Sequence, residues 1–106
     1  MANILSTKLR NAIMRENPSA DYEFHLRNII VNGNKRGCSG FIVNKNNNVV
    51  VYVSTEQTCN PMLGYMYRFA DSIKDYTGHT NNWARNYESF VTSVNKCLEK
   101  GERTNG

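Results

Sequence analysis

Few residues in this chain are suited to acid–base chemistry. Its two histidines are His25 and His79, and histidine is the side chain whose ordinary pKa best suits proton transfer near neutrality. His25 falls on the polar face of a predicted strand, where a solvated role is expected. His79 follows Asp75 and Tyr76 in the densest group of polar side chains. Asp75, Tyr76 and His79 are therefore the candidate set for a small enzyme.

A nucleophile is a further requirement of such a site. Cys59 precedes Asn60-Pro61, a predicted helix start, and a helix N-terminus favours a thiolate, but no feature of the sequence brings Cys59 to His79. Cys38, Cys59 and Cys97 are an odd number at wide spacing, which predicts free thiols. Ligand pairs at zinc spacing and glycine-rich phosphate motifs are missing from the sequence. The sequence predicts no enzyme, no metal and no cofactor.

Side chains typical of protein interfaces concentrate around Trp83, the only tryptophan. Trp83 falls in an irregular polar stretch, and two interpretations stay open: it locks that stretch against the sheet, or it anchors a protein interface. The predicted partner-binding residues are Tyr76, His79, Asn82, Trp83, Arg85 and Tyr87.

A nucleic acid is the alternative partner. The net charge is +4, and residues 1–45 contain seven basic and three acidic side chains against six of each in the remainder. Basic groups beside aromatic rings can bind phosphates and stack bases, although cations at hairpin ends also keep an exposed sheet soluble. The candidate residues are Arg27, Lys35, Arg36 and Lys45, with Tyr22 or Tyr52 as stacking platforms.

Residue patterns predict the elements that position these side chains. Apolar residues at helical spacing predict a helix over 3–16, capped by Asn3 and ended before Pro18. Alternation predicts a strand over 22–31. Asn32-Gly33 predicts a type I′ turn, and strands over 38–43 and 49–54 complete an antiparallel meander because both links are too short for a crossover.

Two helices are predicted after the meander. The first begins at Asn60-Pro61, carries apolar residues with a period near 3.6 and ends at Thr77-Gly78. The last carries Phe90, Val91, Val94, Cys97 and Leu98 on one face and ends at Gly101. The expected fold class is α+β: a three-stranded antiparallel meander with helices packed on one face, in the order α-β-β-β-α-α.

The length of 106 residues predicts a single domain over 1–101, followed by a flexible tail over 102–106. The sequence contains neither an apolar run of about 18 residues nor the pattern of a signal peptide. We therefore expect a cytoplasmic protein that does not engage a membrane, and the pattern leaves its oligomeric state open.

Several short segments resemble those of small proteins from bacterial phages and mobile elements. They are Arg36-Gly37-Cys38-Ser39-Gly40-Phe41, Tyr52-Val53-Ser54-Thr55-Glu56, Tyr67-Arg68 and Lys74-Asp75-Tyr76-Thr77-Gly78 with Asn81 or Asn82. The resemblance covers about residues 36–98 and departs at His79, where those proteins have a second glycine. It implies a bacterial host cell, and no catalytic role is carried over from those proteins.

The predicted element order is also similar to that of an anti-CRISPR protein, which blocks an RNA-guided nuclease by imitating DNA. That inhibitor is acidic, whereas this chain is basic. An inhibitor of this charge would instead grip an acidic protein surface, the guide RNA or moving domains of the effector. The resulting hypothesis is a binding protein that occludes a host defence complex stoichiometrically, most concretely a CRISPR effector.

Overall fold

A computed structural model describes residues 4–55, 64–77 and 80–100 of the chain. Its elements follow the order α-β-β-β-β-β-α. They are α1 (Ser6–Glu16), β1 (Tyr22–Val31), β2 (Asn34–Asn44), β3 (Val49–Ser54), β4 (Tyr65–Ala70), β5 (Asn82–Ala84) and α2 (Tyr87–Lys100). The α+β class is confirmed.

The strands form one antiparallel sheet in which spatial order equals chain order, β1-β2-β3-β4-β5. Asn32 and Gly33 both adopt positive φ, 52° and 79°, as the type I′ turn requires. The register of β1 against β2 shifts between Ile29 and Ile30, which leaves Arg36 as the extra residue of a bulge. The predicted meander therefore forms, and two more strands extend it.

Both helices pack on the same face of the sheet. α1 contributes Leu9 and Ile13 to the main core, and α2 contributes Phe90, Val94 and Leu98. The sheet side of this core consists of alternate residues of the strands, including Cys38, Ile42, Val51 and Val53. α2 buries the apolar face that its sequence pattern predicts, so the last predicted helix is present.

The predicted helix over 61–77 is wrong in its described part. Residues 65–70 form β4, with Tyr65, Tyr67 and Phe69 against the helices and the residues between them on the other face. Aromatic side chains at period two fit a strand that is covered on both faces. β3 also offers a free edge for pairing, which outweighs the helical spacing of the apolar residues.

Gly64 fixes the entry to β4. Its φ is +95°, and a β-carbon at this position would meet the carbonyl oxygen of Ala84. A helix cannot pass through such a residue. Ala84 ends β5, a strand that the polar composition of residues 80–86 concealed.

The start of α1 also differs from the prediction. The helix begins at Ser6, and its first turn is capped from another element, because Asn28 of β1 accepts a hydrogen bond from the Ser6 amide through Oδ1 at 2.8 Å. The helix ends at Glu16, as the proline predicted. Asn3, Asn60-Pro61, Gly78, Gly101 and the tail 102–106 lie outside the described residues.

Candidate binding face of the sheet

The sheet face opposite the two helices is here called the open face. Strand alternation and the pairing register assign it the side chains of every second residue. Up to the register shift after Ile29, these are Glu23, His25, Arg27, Ile29, Ser39, Phe41, Val43, Val50, Tyr52, Ser54, Met66, Arg68, Ala70 and Trp83. Neither α1 nor α2 contributes to the small apolar cluster on this face, which contains Phe41, Val50 and Ala70 with Val43 and Tyr52 around them.

The segment over residues 71–77 folds back across part of this face and brings Tyr76 onto the cluster. The Tyr76 ring meets Phe41 edge-on at a centroid distance of 5.2 Å and Tyr52 at 6.2 Å. Phe41 is thereby only 2% exposed, whereas Tyr76 keeps 63% of its surface exposed. Tyr76 is both the cover of the cluster and the most exposed aromatic side chain among the described residues.

Arg68 contacts both the Tyr52 ring and the segment over residues 71–77. Its guanidinium lies 4.7 Å from the centroid of the Tyr52 ring, a cation–π geometry. It donates hydrogen bonds to the Phe69 carbonyl oxygen at 3.1 Å and to the Asp75 carbonyl oxygen at 2.7 Å. The side chain is only 3% exposed. Arg68 therefore ties the segment over 71–77 to β4.

The Asp75 carboxylate stabilises the same segment. Oδ2 accepts a hydrogen bond from the Asp71 amide at 2.9 Å, Oδ1 accepts one from the Thr77 amide at 3.2 Å, and Oδ2 lies 3.8 Å from Arg68 Nη1. These contacts give Asp75 a structural role within its turn. His79, its predicted catalytic companion, lies outside the described residues, as does Cys59.

The predicted partner-binding residues that the structure describes do not form one group, and His79 lies outside the described residues. Tyr76 and Trp83 share the open face, where Trp83 is 39% exposed and lies opposite Met66 in the register. Asn82 lies on the helix side of β5 by alternation. Arg85 follows β5 and is exposed. Of the described candidates, the structure therefore places only Tyr76 and Trp83 on the same sheet face.

Tyr87 belongs to the helix side. It is the first residue of α2, its hydroxyl donates to the Lys8 carbonyl oxygen at 3.3 Å, and its ring packs against Tyr65 at 6.0 Å. Burial raises the pKa of the Tyr87 phenol. Its contacts are those of a side chain that joins α2 to α1.

The candidate nucleic-acid residues are spread along the β1–β2 hairpin. Lys45 lies at one end, while Lys35 and Arg36 lie at the other, about 30 Å away for nine residues of strand. Arg27 lies between them on the open face, beyond His25 and Glu23, which are 2.9 Å apart. The hydrogen bond from His25 holds the pKa of Glu23 below its ordinary value. The four cations form no single patch.

The two tyrosines proposed as stacking platforms have other neighbours. Tyr22 faces the helices, where its hydroxyl donates to Asn95 Oδ1 at 3.3 Å, and burial raises its pKa. Tyr52 is half-buried between Phe41, Arg68 and Tyr76. Both rings are half-buried among these neighbours, whereas base stacking uses an accessible ring face.

The described cysteines are free thiols. Cys38 is buried in the main core and Cys97 is half-buried on α2. Burial raises the pKa of both thiols, so neither has the character of an activated nucleophile. Among the described residues no cluster of His, Cys, Asp and Glu could hold a metal ion.

Comparisons with protein-family models, curated protein sequences and solved structures give no match for this chain. Within the described ranges no helix is long and apolar enough to cross a membrane.

Sequence reasoning missed Phe41 and Arg68 at the centre of the open face, and it named Tyr52 only as a candidate platform for nucleic-acid bases. Phe41, Tyr52 and Arg68 come from three different strands, and only the pairing register reveals that they are neighbours. One signal was available in the sequence. The alternation of Tyr65, Tyr67 and Phe69 has the period of a strand, and it would have placed Arg68 on the face opposite those rings.

Proposed function

We propose that this chain is a binding protein that holds a partner protein on the open face of its sheet and acts by stoichiometric occlusion. The observation that carries the proposal is the presence of two exposed aromatic side chains, Tyr76 and Trp83, on one sheet face that neither α1 nor α2 covers. Tryptophan and tyrosine are among the residues that most often dominate protein interfaces. A sheet pre-organises such anchors, which lowers the entropy lost on binding.

A protein partner accounts for this face better than a nucleic acid. Phosphate binding needs several free cations within reach of one backbone, whereas Arg68 is buried among carbonyl oxygens and the hairpin cations are far apart. The surroundings of the exposed rings are partly apolar, because Met66 and Val43 are half-buried on the same face. An aromatic and apolar centre with charges at its margin is typical of a protein interface.

The partner that we propose is a bacterial defence protein or ribonucleoprotein, with a CRISPR effector as the most concrete case. The support is the resemblance to phage and mobile-element proteins, and the resembling segments converge on one place. One group of contacting residues on the open face is drawn entirely from those segments. It consists of Phe41, Tyr52, Arg68, Asp75 and Tyr76. The similarity in element order no longer contributes, since the order is α-β-β-β-β-β-α.

The first experiment is a pull-down of the tagged chain from bacterial host lysate, with and without nuclease, followed by mass spectrometry and sizing of the complex. Trp83→Ala and Tyr76→Ala should each weaken a stoichiometric, nuclease-resistant complex by about 2 kcal/mol, or roughly 30-fold. The matched control is Ile30→Ala, which removes a 62% exposed apolar side chain outside the open face.

The outcomes separate the hypotheses. Retention that disappears with nuclease, with an affinity that falls steeply with salt, would favour the nucleic-acid alternative. A protein complex that is unaffected by both aromatic substitutions would contradict the use of the open face. Plating of phage on a host that carries the captured defence system then tests occlusion, because the wild-type chain should protect the phage and the two variants should not.

A further inference from the structure

The two edges of the sheet are very different. β5 closes one edge with three residues, whereas β1 forms the other with ten residues and contains no proline. A long, regular edge strand is a template for pairing with another chain, and proteins usually shorten it, interrupt it or cover it. The only bulge in the hairpin register lies beyond Ile29, so the stretch from Tyr22 to Asn28 is regular.

The hydrogen bonds of the β1–β2 hairpin determine which backbone groups of β1 point away from the sheet. The Lys45 amide donates to the Asp21 carbonyl oxygen at 2.9 Å, which makes Asp21 and Lys45 a hydrogen-bonded pair. Antiparallel pairs alternate, so odd-numbered residues of β1 bond to β2 and even-numbered ones direct both backbone groups outward. The outward set is Tyr22, Phe24, Leu26 and Asn28. None of these four has a backbone hydrogen bond from its outer edge to another described residue.

The side chains of β1 are complementary to those of a second copy of β1 that runs antiparallel to it. On the open face, an acidic Glu23 and a basic Arg27 flank His25 symmetrically. In an antiparallel pair of two β1 strands with His25 opposite His25, each Glu23 lies opposite an Arg27. On the helix side, Phe24 and Leu26 exchange places in the same way, and both are half-buried. Opposite charges and apolar side chains in directly facing positions stabilise a sheet.

We propose that a second copy of this chain pairs with β1, so that two sheets join into one of ten strands with His25 at the two-fold axis. This register pairs all four outward-facing residues, Phe24 with Leu26 and Tyr22 with Asn28, each twice. It also places both open faces on the same side of the joined sheet. A shift by one pairing step, with Phe24 opposite itself, loses Asn28 from the paired stretch and moves Glu23 away from Arg27.

A cross-linking experiment tests the register directly. In the proposed dimer His25 and its counterpart form a non-hydrogen-bonded pair with α-carbons about 4.5 Å apart, within the range of a disulfide. The two Arg27 α-carbons lie four residues apart along the strand, about 13 Å. His25→Cys, in a chain with Cys59→Ser and Cys97→Ser, should therefore form a covalent dimer on mild oxidation. Arg27→Cys in the same chain is the matched control and should not.

Charge exchange tests the same interface without a covalent bond. Sedimentation equilibrium of the full chain should show a monomer–dimer equilibrium. Glu23→Arg alone, and Arg27→Glu alone, each create two like-charged facing pairs and should weaken the dimer about tenfold or more. The double variant Glu23→Arg with Arg27→Glu restores opposite charges and should recover the dimer. Arg36→Glu makes the same charge change as Arg27→Glu but outside the paired stretch, and it should leave the dimer unchanged.

Three results would overturn the inference. The first is a wild-type chain that stays monomeric up to about 0.5 mM, a concentration at which a weak dimer would be populated by mass action. The second is equal cross-linking of the two cysteine variants. The third is a dimer whose dissociation constant responds to Arg27→Glu no more than to Arg36→Glu. Circular dichroism checks the fold of each variant. We expect every variant to fold, because Glu23, Arg27 and Arg36 are exposed.

Discussion

Replacing Arg68 with methionine should destabilise the fold and release the segment that carries Tyr76. Methionine keeps most of the apolar stem of the side chain, so the substitution chiefly removes the guanidinium. That group donates to the carbonyl oxygens of Phe69 and Asp75 and lies on the Tyr52 ring. The bond to the Asp75 carbonyl oxygen connects the segment over 71–77 to the sheet, together with the 3.8 Å approach of Arg68 Nη1 to Asp75 Oδ2 and the ring contacts of Tyr76.

The magnitude follows from these contacts. A hydrogen bond from a charged donor contributes about 1.5–3 kcal/mol when its acceptor is shielded. The Phe69 and Asp75 carbonyl oxygens can partly regain water after the change, so the two bonds together contribute about 2 kcal/mol. The cation–π contact with half-buried Tyr52 adds about 1 kcal/mol. The free energy of unfolding should fall by about 3 kcal/mol, which lowers Tm by at least about 10 °C in a domain of this size.

Urea denaturation followed by circular dichroism measures the loss, and Arg68→Lys is the informative companion variant. Lysine keeps the positive charge but lacks the planar fork that reaches two carbonyl oxygens and stacks on the ring. We therefore expect Arg68→Lys to lower the free energy of unfolding by more than half as much as Arg68→Met does. A double-mutant cycle with Tyr52→Leu should isolate a coupling of about 1 kcal/mol.

Two results would refute this reasoning. A loss below about 1 kcal/mol for Arg68→Met would mean that the buried guanidinium costs nearly as much to desolvate as its contacts return. A wild-type stability for Arg68→Lys would mean that charge alone matters and that the fork geometry does not. The first result would also mean that the Arg68 contacts do not hold Tyr76 in its position.

Two further predictions concern the core. Thr55→Val should cost about 2–3 kcal/mol in urea denaturation, because the buried Thr55 hydroxyl accepts from the Cys38 amide and donates to the Ile4 carbonyl oxygen, and both backbone groups lose that partner; Thr55→Ser should retain most of the stability, and equal losses would contradict the explanation. Stability should also fall above about pH 8.5, because burial raises the pKa of the Cys38 and Cys97 thiols, so that the unfolded chain releases their protons first. Cys38→Ala should reduce this alkaline loss in urea titrations between about pH 7 and 10, and an identical pH profile would exclude the thiol as its source.

The elements that sequence patterns predicted correctly are those whose signals are local. Pro18 ends α1, Asn32-Gly33 makes the hairpin turn, and the apolar face of α2 has the period of a helix. Each of these depends on residues a few positions apart, so the backbone preference and the pattern agree before any tertiary contact forms. The α+β class and the first three strands could therefore be read from the sequence.

The error at β4 has the opposite cause. Residues 61–73 carry apolar side chains at helical spacing, but Tyr65, Tyr67 and Phe69 also alternate, so the local pattern supports two structures. Pairing with β3 and burial of those rings against α2 decide between them. That choice depends on contacts with residues elsewhere in the chain, and tertiary context regularly overrides local propensity.

The candidate site divides in the same way. The sequence by itself identified Tyr76 and Trp83 as interface-type residues and supplied the segments that contain Phe41, Tyr52, Arg68 and Asp75. Only the tertiary structure placed Arg68 beneath Tyr52, moved Tyr87 to the helix side and separated the hairpin cations. The physical reason is that the face on which a strand residue lies is set by its register against its neighbours, and register is a long-range property that residue types alone do not encode.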